Sequence, residues 1–320
     1  MERYEKEVIQ YQLDQEKAVL KRLERQYTQA LQDITHKINT LSSTIEMLQN
    51  AGNSDEFALS QARSKAYQRD YQEALKGQIS GVLDKLHADE FETVQDYLNA
   101  CYEDGFIGAM YQMHAQDVPI IVPIDQGAEV QAIQLETKLK NPLYEALAGG
   151  MDGMKKAIQS ELTRGIAMGL GWDEIARNLS NTTKAPLAHA KTIARTEGHR
   201  IQEKAAYDAF QKAKSRGADV LKQWDSTLDG KTRDSHRRVD GELREDEKKF
   251  SNGLLYPGDP DGEAEEVVNC RCTMLPRARW ALDEDELKTL QERAKYFGLD
   301  KKEQFADFKK NYLKAAETIH

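Results

Sequence analysis

The sequence predicts a mainly α-helical protein, in which long N-terminal helices and a helical bundle precede a small α+β module. Apolar residues near the N-terminus recur at helical spacing, glycines and prolines interrupt the helical patterns that follow, and turn-rich, β-branched segments begin after Gly217. The 320 residues are 31% charged and 39% hydrophobic, a balance typical of long, exposed helices.

The N-terminal pattern predicts a helix that packs along a neighbour, because its apolar residues alternate in steps of four and three. These residues are Tyr27, Leu31, Ile34, Ile38, Leu41, Ile45 and Leu48. Gly52 is the predicted break, and Ser54 or Asp55 is expected to cap a second helix. We therefore assign residues 1–140 to a helical arm.

Residues 141–217 are predicted to form a helical bundle whose last helix carries a buried acidic residue. At 100° per residue, Glu197 lies on the same face as Ile193 and Ile201. A carboxylate on a buried face needs a cationic or multi-donor partner. Pairing within a structural network is the preferred interpretation, and a catalytic carboxylate is the alternative.

Residues 218–280 are predicted to form the α+β module, and residues 281–320 a helical C-terminal tail. The expected strands are Val220–Trp224 and Val267–Leu275, separated by Asp-Gly and Pro-Gly turn signals. Residues two apart in a strand face the same side, so Cys270 and Cys272 are expected to present their thiols together.

The paired thiols have several interpretations. A disulfide between them closes a very short loop. Zinc could bind both thiolates and His236, with a fourth ligand from the acidic loop or from water, although zinc motifs usually place two to four residues between cysteines. Both cysteines could instead be small core residues. A nucleophilic Cys/His site has no recognisable oxyanion hole or orienting group in the sequence.

Charge and composition restrict the possible partners. A net charge of −9 and a pI near 5.4 argue against broad, nonspecific wrapping of nucleic acid. A local basic stretch, Lys231, Arg233, Arg237 and Arg238, is either a DNA contact or a solvated face. Three cysteines and a charged N-terminus favour a reducing compartment, and no apolar run predicts a membrane span.

Five motifs, in order, resemble the C-terminal domain of the phage head morphogenesis proteins, the minor head proteins similar to phage Mu protein F. The resemblance covers about Ala157 to Pro276. The motifs are Arg195, Thr196 and Glu197; Trp224; His236; the loop Pro257–Pro260; and Asn269, Cys270, Arg271 and Cys272.

The resemblance implies a minor capsid protein that associates with the portal and stays inside the phage head near it, aiding assembly and DNA packaging or ejection. The portal is the expected partner, with scaffold or major capsid protein and genomic DNA as further ones, and the helical arm becomes a portal-proximal region. Assembly is expected in the host cytoplasm.

The resemblance also bears on chemistry. His236 and both cysteines belong to the shared pattern, which strengthens the zinc hypothesis. No catalysis is expected; the alternative is a phage-encoded enzyme of nuclease or ADP-ribosyltransferase type that uses Arg195, Glu197 and His236.

Overall fold

The structure, a computed structural model, describes residues 1–51, 57–125, 127–128, 132, 143–168, 172–279, 284–299 and 304–319. Its helices are α1 (Arg3–Ala51), α2 (Phe57–His114), α3 (Leu143–Ala167), α4 (Trp172–Thr182), α5 (Lys184–Ser215), α6 (Asp234–Arg238), α7 (Ala264–Val267), α8 (Glu284–Tyr296) and α9 (Phe305–Ile319), and its strands are β1 (Val220–Asp225), β2 (Leu243–Arg244) and β3 (Thr273–Ala278). The predicted break at Gly52, the caps Ser54 and Asp55, and the boundaries near residues 140 and 280 lie outside the described residues.

The predicted fold class is confirmed, because long helices accompany one small antiparallel sheet. The sheet has the order β2-β1-β3, so β1 is central and pairs antiparallel with both neighbours. Trp224 on β1 lies opposite Met274 on β3. In the part of the chain that the structure describes, no helix is long and apolar enough to cross a membrane.

The strand predicted over Val267–Leu275 is wrong in its first six residues. Residues Ala264–Val267 form a helical turn, and β3 begins only at Thr273. Asn269 has a φ of 55°, in the left-handed region that interrupts an extended chain and that asparagine adopts more readily than most residues. The two cysteines therefore lie in a turn and a short connection, not in a strand.

The chain divides into two compact units, each assembled from separate parts of the sequence. The first contains Met1–Val19, Val94–Pro142 and Thr192–His320, and the second contains Leu20–Thr93 and Leu143–Lys191. Helices α1, α2 and α5 contribute residues to both units. The division into ranges 1–140, 141–217, 218–280 and 281–320 stays a prediction.

The second unit is built around the apolar face of α1. Tyr27, Ile34 and Ile38 are buried there, as the spacing predicted, whereas the side chains of Leu41, Ile45 and Leu48 lie outside those described. Their neighbours in the same core come from α2, α3 and α4: Leu75, Ile79, Leu83, Leu86, Met151, Met154, Ile158, Ile175 and Leu179.

A buried acidic residue, Glu90, interrupts this core. The hydroxyl of Tyr27 donates a 2.9 Å hydrogen bond to its carboxylate. Burial raises the pKa of Glu90 from its ordinary value near 4.5 to about 7, although the tyrosine opposes the shift. The folded protein therefore keeps this proton over a pH range in which the unfolded chain loses it.

Replacing Glu90 by glutamine should remove a pH-dependent loss in the free energy of unfolding. From about pH 4.5 to pH 7 the unfolded chain binds fewer protons, so wild-type stability falls by about 3 kcal/mol as pH rises, and no further above pH 7. Denaturant unfolding should show Glu90→Gln gaining about 2 kcal/mol more at about pH 8 than at about pH 5. The exposed Glu92→Gln is the control; equal behaviour of the two variants would contradict this assignment.

In the first unit, the predicted helical tail packs against α1 and α2. Phe305 and Phe308 on α9 contact the rings of Tyr11 and Tyr111. The Tyr312 hydroxyl donates to the Val122 carbonyl at 2.7 Å and accepts from its N–H at 3.0 Å. These bonds satisfy both backbone groups of Val122, the last residue of a buried, extended connector, residues 118–122.

Candidate metal centre and motif residues

Helix α5 presents one face to the segment that contains the cysteines. The Asn269 N–H donates to the hydroxyl of Thr196 at 3.3 Å, which accounts for the threonine of the motif. Four and five residues beyond Asn269, the Thr273 hydroxyl and the Met274 N–H each donate to Glu203 at 2.7 Å. Burial raises the pKa of Glu203 to about 8. The helix thus holds both the left-handed turn and the start of β3.

His199 lies between those two contacts on the same helical face. Its ring hydrogen-bonds the backbone of Cys272, and burial lowers its pKa to about 4, so the imidazole is uncharged at neutral pH. His199 was not among the predicted site residues. His199 lies three residues after Thr196 and four before Glu203, and this helical spacing indicates that the three side chains share one face.

Glu197 is buried and paired. Its Oε2 accepts a 2.7 Å bond from Nε of Arg200, and both side chains are 1% exposed. Arg200 also donates from Nη1 to the carbonyl of Ala132 at 3.0 Å. A partner for Glu197 was predicted, but Arg200 was not identified as that partner, although a cation three residues along a helix is a recognised signal.

The Pro-Gly-Asp-Pro loop packs against this pair. Gly258 has a φ of 78°, and a Cβ atom there would lie 3.2 Å from the Cα of Arg200, so glycine suits both the backbone conformation and the close approach. The buried Asp259 accepts the N–H groups of Leu255 and Asp261 at 2.8 and 2.9 Å. These bonds fix the shape of the loop.

Arg195 faces away from this buried network. Its guanidinium contacts Glu16 on α1 at 2.9 Å, and the two side chains are 47% and 27% exposed. Arg195 and Glu197 therefore have different partners, and His236 has a third set. The structure does not bring these three residues into one open cleft.

Trp224 positions the helix that carries His236. It is fully buried and donates from Nε1 to the Ser226 hydroxyl at 3.0 Å, which in turn donates to the His236 carbonyl at 2.8 Å. The Trp224 ring also lies edge-to-face with the imidazole, with centroids 5.2 Å apart. Ser226, which the sequence analysis did not name, links the two motif residues.

His236, Cys270 and Cys272 converge. Nδ1 of the imidazole lies 3.2 Å from Sγ of Cys272 and 3.7 Å from Sγ of Cys270, and all three residues are buried. On the opposite side of the ring, Nε2 lies at an ion-pair distance of 2.8 Å from Oε2 of Glu266, and that oxygen accepts a hydrogen bond from the Ser235 hydroxyl. Glu266 thus lies beside the imidazole, and among the described residues no acidic side chain joins the three donor atoms. A fourth ligand from the acidic loop or from water stays a prediction.

The two thiols differ in acidity. Their mutual hydrogen bond raises the pKa of Cys270 and lowers that of Cys272, and the contact with His236 lowers the latter further. Cys272 therefore loses its proton first. Both side chains are buried, so neither sulfur is positioned to attack a substrate in solvent.

The Arg271 and Asp229 side chains join the cysteine segment to the Asp-Gly turn. Arg271 binds both carboxylate oxygens of Asp229, at 2.6 and 2.7 Å, across 42 residues of sequence. In the basic stretch, Arg237 donates to the Asp229 carbonyl at 2.6 Å and Arg233 to the Val268 carbonyl at 2.5 Å.

The other two basic residues, Lys231 and Arg238, are exposed. Arg233 and Arg237, two of the four predicted DNA-contact residues, thus donate to backbone carbonyls within the module.

Comparison with known proteins shows what the motif region is similar to. Residues 156–275 match the profile described as "Phage Mu protein F like protein". Over 121 residues the chain is 29% identical to Minor head protein GP7 of Bacillus phage SPP1, covering 37% of this chain and 39% of that protein. Over 202 residues it is 28% identical to NAD(+)–arginine ADP-ribosyltransferase EFV of Enterococcus faecalis, covering 62% and 41%.

The chain thus spans about two fifths of the length of either curated relative. No solved structure matches it.

Proposed function

Because residues 156–275 match the Phage Mu protein F like family, as the motifs predicted, we propose that the chain is a minor head protein that associates with the portal inside the phage head. The similarity to Minor head protein GP7 supports this proposal. The proposed role is in head assembly, with a contribution to DNA packaging or ejection. Before encapsidation the protein would meet its partners in the host cytoplasm.

The contacts that the motif residues make favour an assembly role over catalysis. Thr196 bonds to Asn269, Arg271 to Asp229, and Trp224 to His236 through a serine. An enzyme needs ionisable groups that face an open cleft, whereas these groups are engaged with each other. The motifs thus hold a compact module together.

One observation favours a second candidate, an ADP-ribosyltransferase: the similarity to EFV. The matched region leaves more than half of that protein without a counterpart here. We expect the purified chain, incubated with labelled NAD+ and an arginine-containing acceptor, to transfer no label. Transfer that increases with the concentration of correctly folded protein would instead establish this second candidate.

DNA contact is proposed only through the exposed Lys231 and Arg238. Such contact would be electrostatic and would weaken steeply with salt. Because the whole chain is acidic, its effect is local. The main proposed partner is therefore a protein, the portal, with scaffold or major capsid protein as further candidates.

Association with the portal can be tested directly. The full chain and the portal protein encoded in the same genome are co-expressed and purified through a tag on the portal. We expect a stable complex, and we expect the protein in purified virions by mass spectrometry. Absence from virions, together with no association, would overturn the proposal.

Cross-linking of that complex would locate the contact. Exposed Lys21 on α1 and Lys85 on α2 belong to the helical arm, whereas exposed Lys231 belongs to the module. We expect cross-links to the portal from the arm lysines. Cross-links from Lys231 alone would move the proposed interface to the family region.

A further inference from the structure

We propose that His236, Cys270 and Cys272 bind one structural zinc ion, and that Glu266 positions the histidine ligand. Nothing in the proposed head function requires a metal, so this inference goes beyond it and can fail independently. The proposal rests on the contacts of Nδ1 with the two sulfur atoms and of Nε2 with Glu266.

The spacing of the three donor atoms matches a tetrahedral zinc site. With zinc–sulfur bonds of about 2.3 Å and zinc–nitrogen bonds of about 2.0 Å, a sulfur and a nitrogen ligand lie about 3.5 Å apart. The observed distances from Nδ1 of His236, 3.2 Å to Cys272 and 3.7 Å to Cys270, lie on either side of that value. All three donor atoms lie within 4.8 Å of one another.

On the far side of the imidazole, the carboxylate of Glu266 lies beside Nε2. A histidine that binds metal through Nδ1 must carry its proton on Nε2, and metal-binding histidines usually donate that proton to a carboxylate or carbonyl. Oε2 of Glu266 lies 2.8 Å from Nε2 of His236. The Ser235 hydroxyl bonds the same carboxylate at 2.9 Å, which fixes its orientation. The contact is an ion-pair distance without hydrogen-bond alignment. A negative oxygen this close to Nε2 favours the tautomer that carries its proton there, which leaves Nδ1 free for the ion.

The donor set is specific within the described part of the chain. Among those residues, this is the one group of three or more histidine, cysteine or acidic side chains whose ligand atoms come together. Two thiolates and one imidazole suit zinc better than calcium or magnesium, which prefer oxygen ligands. Because no fourth such side chain joins the group there, water is the proposed fourth ligand.

A zinc ion here would stabilise a module with a small core. The core cluster comprises Trp224, Val239, Phe250 and Leu254 together with both cysteines. Cys272 lies 36 residues after His236, so one ion would join α6 to the connection that precedes β3. Small modules with little buried apolar surface commonly depend on such a cross-link.

Metal content of the full-length chain tests the proposal. Protein purified without chelator should contain about one zinc per chain by elemental analysis, and Cys272→Ser and His236→Gln should each contain less than about a tenth. Cys101→Ala is the control, because Cys101 is a buried cysteine on α2 outside the cluster. Wild-type protein with less than about a tenth of an equivalent would overturn the proposal.

Replacing Glu266 by glutamine tests the positioning role in a variant that keeps all three proposed ligands. The amide retains a hydrogen-bond acceptor but lacks the charge, so zinc affinity should fall about 10- to 100-fold in a competition titration. The exposed neighbour Glu265→Gln should leave affinity unchanged. Cobalt substituted for zinc in wild type should show the visible absorption of a tetrahedral thiolate site. An unchanged affinity in Glu266→Gln would refute the positioning role, and absence of the cobalt spectrum would refute the site.

Discussion

Replacement of Arg200 by methionine is expected to lower the free energy of unfolding by about 3–5 kcal/mol. The substitution keeps an unbranched stem but leaves the carboxylate of Glu197 buried without its cation, and removal of one partner of a buried ion pair typically costs that much. It also removes the hydrogen bond to the Ala132 carbonyl. Denaturant unfolding followed by circular dichroism would measure the loss.

A matched control lies one and a half turns earlier on the same helix. Arg195 pairs with Glu16, but both side chains are partly exposed, so Arg195→Met should change stability by no more than about 1 kcal/mol. The double variant Glu197→Gln/Arg200→Met should be more stable than Arg200→Met alone, because it leaves no buried charge unmatched. Similar losses in Arg195→Met and Arg200→Met would contradict the assignment of a buried pair.

The helical part of the fold could be predicted because its signals are local. Burial of Tyr27, Ile34 and Ile38 follows from a repeat that is visible within a few turns of sequence. The buried position of Glu197 follows in the same way from its angle to Ile193 and Ile201. Periodicity identifies which face of a helix is buried without any knowledge of what covers it.

The partners of the motif residues could not be predicted, because they are distant in sequence. Asp229 binds Arg271 across 42 residues, and Glu266 reaches the histidine of another helix. No spacing rule connects such positions. Arg200, three residues from Glu197, was within range of a local rule.

The two thiols were correctly expected to lie together, but the predicted cause, a β-strand, was wrong. Alternation along a strand was expected to bring the thiols of Cys270 and Cys272 together. They do converge, but a left-handed turn at Asn269, held by Thr196, brings them there. The turn depends on a hydroxyl from α5, which the sequence around the cysteines does not contain.

Close helix packing is likewise invisible in the sequence. Gly105 on α2 faces the backbone of α5, and a Cβ atom at this position would lie 2.8 Å from both Cα and the carbonyl carbon of Gln202, and closer still to its carbonyl oxygen. On the other helix, Gly198 makes room for the ring of Tyr97. Glycines within helices usually lower stability. Here Gly105 permits the close approach of two backbones, and Gly198 permits that of an aromatic ring.

Replacement of Gly105 by alanine should therefore destabilise the protein, on the order of 3 kcal/mol or more, because rigid backbone cannot move aside as a flexible side chain can. Helix propensity alone predicts the opposite sign, a gain of about 1 kcal/mol. Gly81→Ala isolates that gain, since Gly81 is an exposed glycine of the same helix whose Cβ would meet no atom within 4 Å. Thermal unfolding of both variants decides between the effects: the midpoint should fall for Gly105→Ala and rise for Gly81→Ala, and a rise in both would show that α2 and α5 are not in backbone contact.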